Sequence, residues 1–274
     1  MRPRPRRSPI SRMNEPLSSR RITELLQTRR VGHPLILLDS VDSTNRHLRD
    51  LARRGAAPGT VVVAEHQTGG LGRRGRTWHS PRSLGLWFSV LLEAEDRQLL
   101  SLMAGVAVVL GLRVYPGADL SLRWPNDVYA GSRKIAGILC QTHSVHPAVI
   151  LGIGVNVNQG PADFDSSLLG KATSLRILKG EPCDRERLLV RFFMEIEAQY
   201  DRFLEGDREG MLMQYIRFSD FMDHPVRLRL ENKIVTGRVV GLHAKGDLLI
   251  ESPSGRRERY AEGEIIEVMD VTRG

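Results

Sequence analysis

The chain has 274 residues, 41% of them hydrophobic and 26% charged, enough for one large or two smaller domains around a sizeable core. Its net charge of +8 suggests a nucleic-acid partner, but Arg2, Arg4, Arg6, Arg7 and Arg12 lie in the first twelve residues, and without them the balance is +3. Two cysteines, Cys140 and Cys183, offer neither metal-ligand spacing nor a disulfide framework and suit a reducing cytoplasm. No apolar run approaches the roughly 20 residues of a membrane helix, and no secretion signal opens the chain.

Residues 1–19, rich in Arg, Pro and Ser, are expected to be a disordered basic tail, with Met13 an alternative start. A helix is predicted over 20–30, since Ile22, Leu25 and Leu26 share a face and Gly32 can end it. A strand follows at 35–38. The polar turn 39–45 leads into a helix over 45–53, which Ser43 or Thr44 can cap and Gly55 can stop.

Residues 60–65 form a β-branched run suited to a buried strand. The next stretch, Gln67 to Trp78, holds four glycines and three arginines between Gly69 and Arg76. Glycine lets a ligand approach the backbone, and arginine offers planar, permanently charged donors to phosphate oxygens. A clamp on an anionic intermediate, a solvated basic turn and an RNA-binding patch all fit this composition. Trp78 suits either ring stacking or packing.

A strand is predicted over 83–92 with Trp87 and Phe88 in the core, then an apolar helix over 99–113. The strand 120–124 runs into Pro125-Asn126-Asp127, and strands 135–142 and 148–157 are joined by a short turn. Lys134 opens an apolar strand, where lysine commonly snorkels. Gly152 and Gly154 mark a strand face against which a ligand or another backbone can lie. The helix 185–204 carries an apolar stripe that is core packing, with Asp184 as N-cap and Gly206 as stop. Five short strand-like runs from 226 to 269, with close turns, suggest a small barrel.

Ser43-Thr44-Asn45, the Gly/Arg loop, Trp124-Pro125-Asn126-Asp127 and Lys134-Ile135-Ala136-Gly137, in this order, resemble the biotin–protein ligase family from about Leu37 to Glu264. The resemblance implies an α+β fold: a mixed-sheet catalytic domain of the class II synthetase-like type over 20–222 and a small SH3-like β-barrel over 223–274. It implies a ligase that uses ATP to make biotinyl-AMP and passes biotin to a lysine of a biotin carboxyl carrier protein. Mg²⁺ would arrive with ATP, with no resident metal site.

By the same resemblance Ser43, Thr44, Asn45, Gln67, Leu71, Gly72, Arg73 and Lys134 face biotin, and Lys134 meets its carboxyl oxygen. Arg73, Arg74, Arg76, Asn126 and Asn156 face the nucleotide, with Lys134, Arg73 and Arg76 supplying the catalytic charge. Asp127 orients the acceptor lysine, binds Mg²⁺ through water or fixes the Pro125 turn. Many relatives carry a basic residue where this chain has Leu71. About 35 residues precede the first strand, too few for the DNA-binding module of some relatives, so no DNA partner is expected. A homodimer follows by analogy only. A lipoate or octanoate ligase is the nearest alternative, and a basic nucleic-acid-binding regulator the next.

Overall fold

A computed structural model describes residues 15–115, 117–142 and 148–269. Seven strands make the central sheet: β1 (Leu35–Leu38), β2 (Val61–Ala64), β3 (Gly85–Glu93), β4 (Leu120–Arg123), β5 (Asp127–Ala130), β6 (Arg133–Thr142) and β7 (Ala148–Asn156). Their order is β1-β2-β3-β7-β6-β5-β4. β1 runs parallel to β2 and every other pair is antiparallel, so the sheet is mixed. β3 and β7 are almost wholly buried, which is why both read as mainly apolar runs.

Period-two alternation gives the sheet two different faces. One carries Val61, Val63, Phe88, Val90, Leu151 and Ile153, packed beneath α3 (Arg97–Leu112) and α5 (Arg185–Leu204). Phe88 stacks on Phe192 at a centroid distance of 6.2 Å and meets Phe193 edge-on at 5.7 Å. The other face lies under α2 (Thr44–Arg53), whose Leu48 packs on Val62, Leu91 and Ile150. Beyond α2 this face carries Ser89, Gly137, Gly152 and Gly154, where bulky side chains give way to a cavity.

The N-terminal helix α1 is Ser19–Leu25, shorter than the span 20–30 predicts. Leu26 is extended, and the N–H groups of Arg29, Arg30 and Val31 instead donate to the Glu197 carboxylate of α5 at 2.7–3.0 Å. Order also begins before residue 19. Leu17 is buried and its N–H donates to Glu65, which pairs with the buried Arg185 at 2.9 Å, while Ser18 N–H donates to Glu186. The remainder of the expected tail, residues 1–14, lies outside the described residues, as do the turn 143–147 and the chain end after 269.

Two short helices, α4 (Leu175–Lys179) and α6 (Arg208–Arg217), and strand β5 add to the predicted elements. β5 pairs Asp127 with Gly137, so the Asn126-Asp127 pair ends a turn and opens a strand. From Pro225 a second, five-stranded antiparallel sheet forms the C-terminal barrel. Its strands are β8 (Pro225–Arg229), β9 (Ile234–Leu242), β10 (Leu248–Glu251), β11 (Arg257–Tyr260) and β12 (Glu264–Val268), ordered β11-β10-β9-β8-β12. Register shifts in β10 and β12 bend it. The two parts are joined by polar bonds as well as chain. The Trp124 indole and the Gln98 amide both donate to the Gly246 carbonyl, at 3.0 and 2.9 Å.

Candidate active site

The glycines of β6 and β7 make the floor of a cavity of about 300 Å³, the lower end of the range for small-molecule sites. A Cβ at Gly152 would stand 2.1 Å from Asn45 Oδ1, and one at Gly154 would stand 2.3 Å from Trp78 Nε1. Asn45 and Trp78 therefore lie flat on backbone that only glycine exposes. Trp78 is a wall of the cavity, and its indole N–H is buried with no hydrogen-bond partner among the described residues.

At one end the polar residues of the α2 start form a closed network. Ser43 occupies the N-cap position but makes no side-chain cap, and Thr44 is already helical. Thr44 donates its N–H and hydroxyl to Gln67 Oε1 at 2.9 and 3.1 Å, and Gln67 Nε2 donates to Ser80 at 2.9 Å. Asn45 Nδ2 donates to Gln141 Oε1 at 2.9 Å, and its Oδ1 accepts from Ser89 at 2.6 Å. Ser43, Thr44 and Asn45 are all buried, so this is a pre-set array of donors and acceptors at the edge of a pocket.

The other end is cationic. Lys134 Nζ lies 2.7 Å from Asp127 and 5.2 Å above the Trp78 ring. The Gly/Arg loop bends over the cavity through a 3-10 turn at Arg73–Gly75, with Arg74 at φ 55° and Gly75 at φ 73°. Gly72 N–H donates to the Arg76 carbonyl at 2.7 Å and closes the turn. Arg73 points inward, donating to Asn126 Oδ1 at 3.2 Å and to the Gly263 carbonyl of the barrel at 3.0 Å. Burial lowers its guanidinium pKa from the ordinary value, with Asp127 opposing the shift. Arg76 makes a two-pronged pair with Glu264, at 3.0 and 2.9 Å. Burial alone would raise the Glu264 carboxyl, but the Arg76 hydrogen bonds and charge hold it below the usual range.

Every site residue expected from sequence except Arg74 lines this cavity: Ser43, Thr44, Asn45, Gln67, Leu71, Gly72, Arg73, Arg76, Asn126, Asp127, Lys134 and Asn156. Arg74, in the left-handed conformation, lines instead a neighbouring pocket with Arg97 and Glu262, which Arg73 also borders. Asn156 is buried and held by Gln159, whose Nε2 donates to its Oδ1 at 3.0 Å. Ser89, Gln141, Lys171, Tyr129 and Glu264 join the site without having been singled out. Ser89 was discoverable, as a lone hydroxyl inside an apolar strand. Glu264 was not, because it reaches the cavity from a distant barrel.

A sequence model of the Biotin/lipoate A/B protein ligase family matches residues 37–158, and one of the Biotin protein ligase C terminal domain matches residues 223–266. The bifunctional ligase/repressor BirA of Bacillus subtilis is 33% identical over 252 residues, covering 89% of this chain and 78% of its own. A biotin–[acetyl-CoA-carboxylase] ligase of Paracoccus denitrificans is 31% identical and covered over 95% of its length, with 81% of this chain. The structure of an Aquifex aeolicus biotin protein ligase in complex with biotin and ATP matches at a TM-score of 0.75 and 32% identity, over 86% of this chain and 98% of that one. Motifs, two-part fold and these likenesses agree: the chain belongs to the biotin/lipoate ligase family and, within it, to the biotin protein ligases.

Proposed function

We propose that this protein joins biotin to ATP as biotinyl-AMP and transfers the biotinyl group to a lysine of a biotin carboxyl carrier domain. The observation that carries this reading is the polarity of one cavity, with a neutral hydrogen-bonding end at α2 and a cationic end at Lys134, Arg73 and Arg76. A bicyclic urea suits the first and a carboxylate beside a phosphate suits the second.

In the first step a biotin carboxylate oxygen attacks the α-phosphorus of ATP and the bond to pyrophosphate breaks. Both reactants are anions, so the barrier is charge repulsion and alignment, and fixed cations lower it. Lys134 meets the carboxylate, and Arg73, fixed by Asn126 and Gly263, meets the phosphate. In the second step a neutral amine attacks the acyl carbon, AMP leaves with the bonding electrons, and the amine loses a proton. Asp127, 2.7 Å from Lys134, is the carboxylate we assign to orienting the acceptor lysine's amine. Neither step needs a protein nucleophile, and burial pushes the Cys140 thiol up to about 12, which keeps it inert.

Mg²⁺ accompanies ATP as its phosphate complex. Asp127 and Glu264 are the carboxylates of the cavity, and an ion brought in with ATP would be held chiefly by its phosphates. No helix among the described residues is long and apolar enough to cross a membrane. The cytoplasm is the compartment this reading favours, since ATP and carrier domains are its substrates and both cysteines are free.

The test is pyrophosphate release from purified protein supplied with ATP and either biotin, lipoate or octanoate. Release that requires both ATP and biotin supports the reading. Release with lipoate or octanoate and none with biotin overturns it.

A further inference from the structure

Arg76 and Glu264 stand 188 residues apart, yet the guanidinium fork of one meets both carboxylate oxygens of the other. The Glu264 side chain is only 18% exposed and lies along the same cavity as Lys134. A fork filled by a carboxylate cannot offer the same two N–H groups to a phosphate, and the two anions repel across the cavity. Glu264 also has a second arginine at hand. In the antiparallel β8·β12 pair its register partner is Arg229, whose Nη1 lies 3.7 Å from Glu264 Oε2.

Accepting the ligase reading above, we propose that Glu264 is a positioning residue that holds Arg76 until a nucleotide phosphate takes the fork, whereupon Arg229 receives the carboxylate. The exchange keeps every charge paired: phosphate replaces carboxylate on Arg76, and Arg229, already at 3.7 Å, closes on the freed Glu264. It moves one contact from loop to barrel, while Arg73 keeps its bond to the Gly263 carbonyl. The barrel thereby holds the loop over the cavity and is displaced only by an anion that competes for the same fork. Differential binding of this kind is what lets a ligand shift a conformational balance.

The experiment measures binding of α,β-methylene-ATP by calorimetry, with biotin present, to the full chain and its variants. Removing the competitor in Glu264→Gln tightens binding by about three- to fivefold, the range expected of a partly exposed ion pair. Removing the receiving partner in Arg229→Met weakens it by a similar factor. In an Arg76→Ala background the Glu264→Gln change has no effect. Limited trypsin digestion without nucleotide is the second arm, since Glu264→Gln frees the loop and speeds cleavage after its arginines. Weaker or unchanged nucleotide binding in a Glu264→Gln protein of normal thermal stability overturns the proposal. So does unchanged digestion. A wild-type protein that binds no nucleotide, with faster digestion of the variant, tells against the ligase reading and leaves the loop-to-barrel contact standing.

Discussion

Lys134 opens β6 with its ammonium between the Asp127 carboxylate and the Trp78 ring. If it meets the biotin carboxylate, Lys134→Ala removes one charge-assisted contact, worth about 1.5–3 kcal/mol, and leaves the buried strand unchanged. Biotin affinity falls about ten- to hundredfold and pyrophosphate release slows, with the thermal unfolding temperature within a few degrees of wild type. Unchanged biotin affinity would remove Lys134 from the site. Arg73 supports a different expectation, since its two bonds tie the loop to Asn126 and to the barrel at once. Arg73→Gly still forms the adenylate, more slowly, with Lys134 and Arg76 left to supply charge, but releases it faster, so that an unrelated protein becomes labelled. A variant that is inactive, or holds its adenylate as long as wild type, contradicts a retaining role.

The reactive residue types of the site were legible because their chemistry is unusual in context. Glycine with arginine cannot build a core, and an amide beside a carboxylate after proline invites a role. What those residues touch was not legible. Arg74 has the same composition signal as Arg73 but, at a left-handed backbone angle, does not line the cavity. Glu264 opens a short strand whose pattern announces only a barrel wall.

At the scale of elements, β7 shows how a strand makes room for a site. Gly152 alternates with apolar neighbours, and its missing side chain is what allows Asn45 to reach Gln141 and Ser89 across the sheet. Gly152→Ala pushes Asn45 off the sheet and costs about 1–3 kcal/mol of packing strain. Biotin binding weakens about tenfold or more, which titration against a folded variant checks. Normal biotin affinity would show that Asn45 is not needed there. The length of α1 illustrates the opposite case. Apolar spacing favoured a helix to residue 30, but a carboxylate 168 residues away captures the N–H of Arg29 and stops it. Local pattern cannot anticipate a competitor that arrives only with the tertiary fold.

For the whole molecule, the same carboxylate links stability to pH. Burial alone would raise the Glu197 carboxyl, but the N–H groups of Arg29, Val31 and Arg30 outweigh it and hold the group below the usual range. A depressed carboxyl adds stability above its unfolded value near 4.3, and that stability drains away as pH falls through the lower folded value. Glu197→Gln therefore lowers the unfolding temperature at pH 7 and flattens its decline below about pH 4. An acid limb as steep as wild type would place the titrating group elsewhere.

The two-part architecture could be read from composition, which shifts to short strands after residue 222, but its functional consequence could not. The barrel supplies a carbonyl to Arg73 and a carboxylate to Arg76, so the Gly/Arg loop is braced by the second domain. In the proposed reaction one cavity first makes an acyl adenylate and then hands its acyl group to an amine. A rapid-quench experiment with radiolabelled biotin and ATP, chased by a biotin carboxyl carrier domain, measures this directly. Biotinyl-AMP is expected to accumulate on the enzyme before the carrier is added, then to disappear at the rate at which label reaches a carrier lysine. Label reaching the carrier without an adenylate, or an adenylate that the carrier does not discharge, would contradict it.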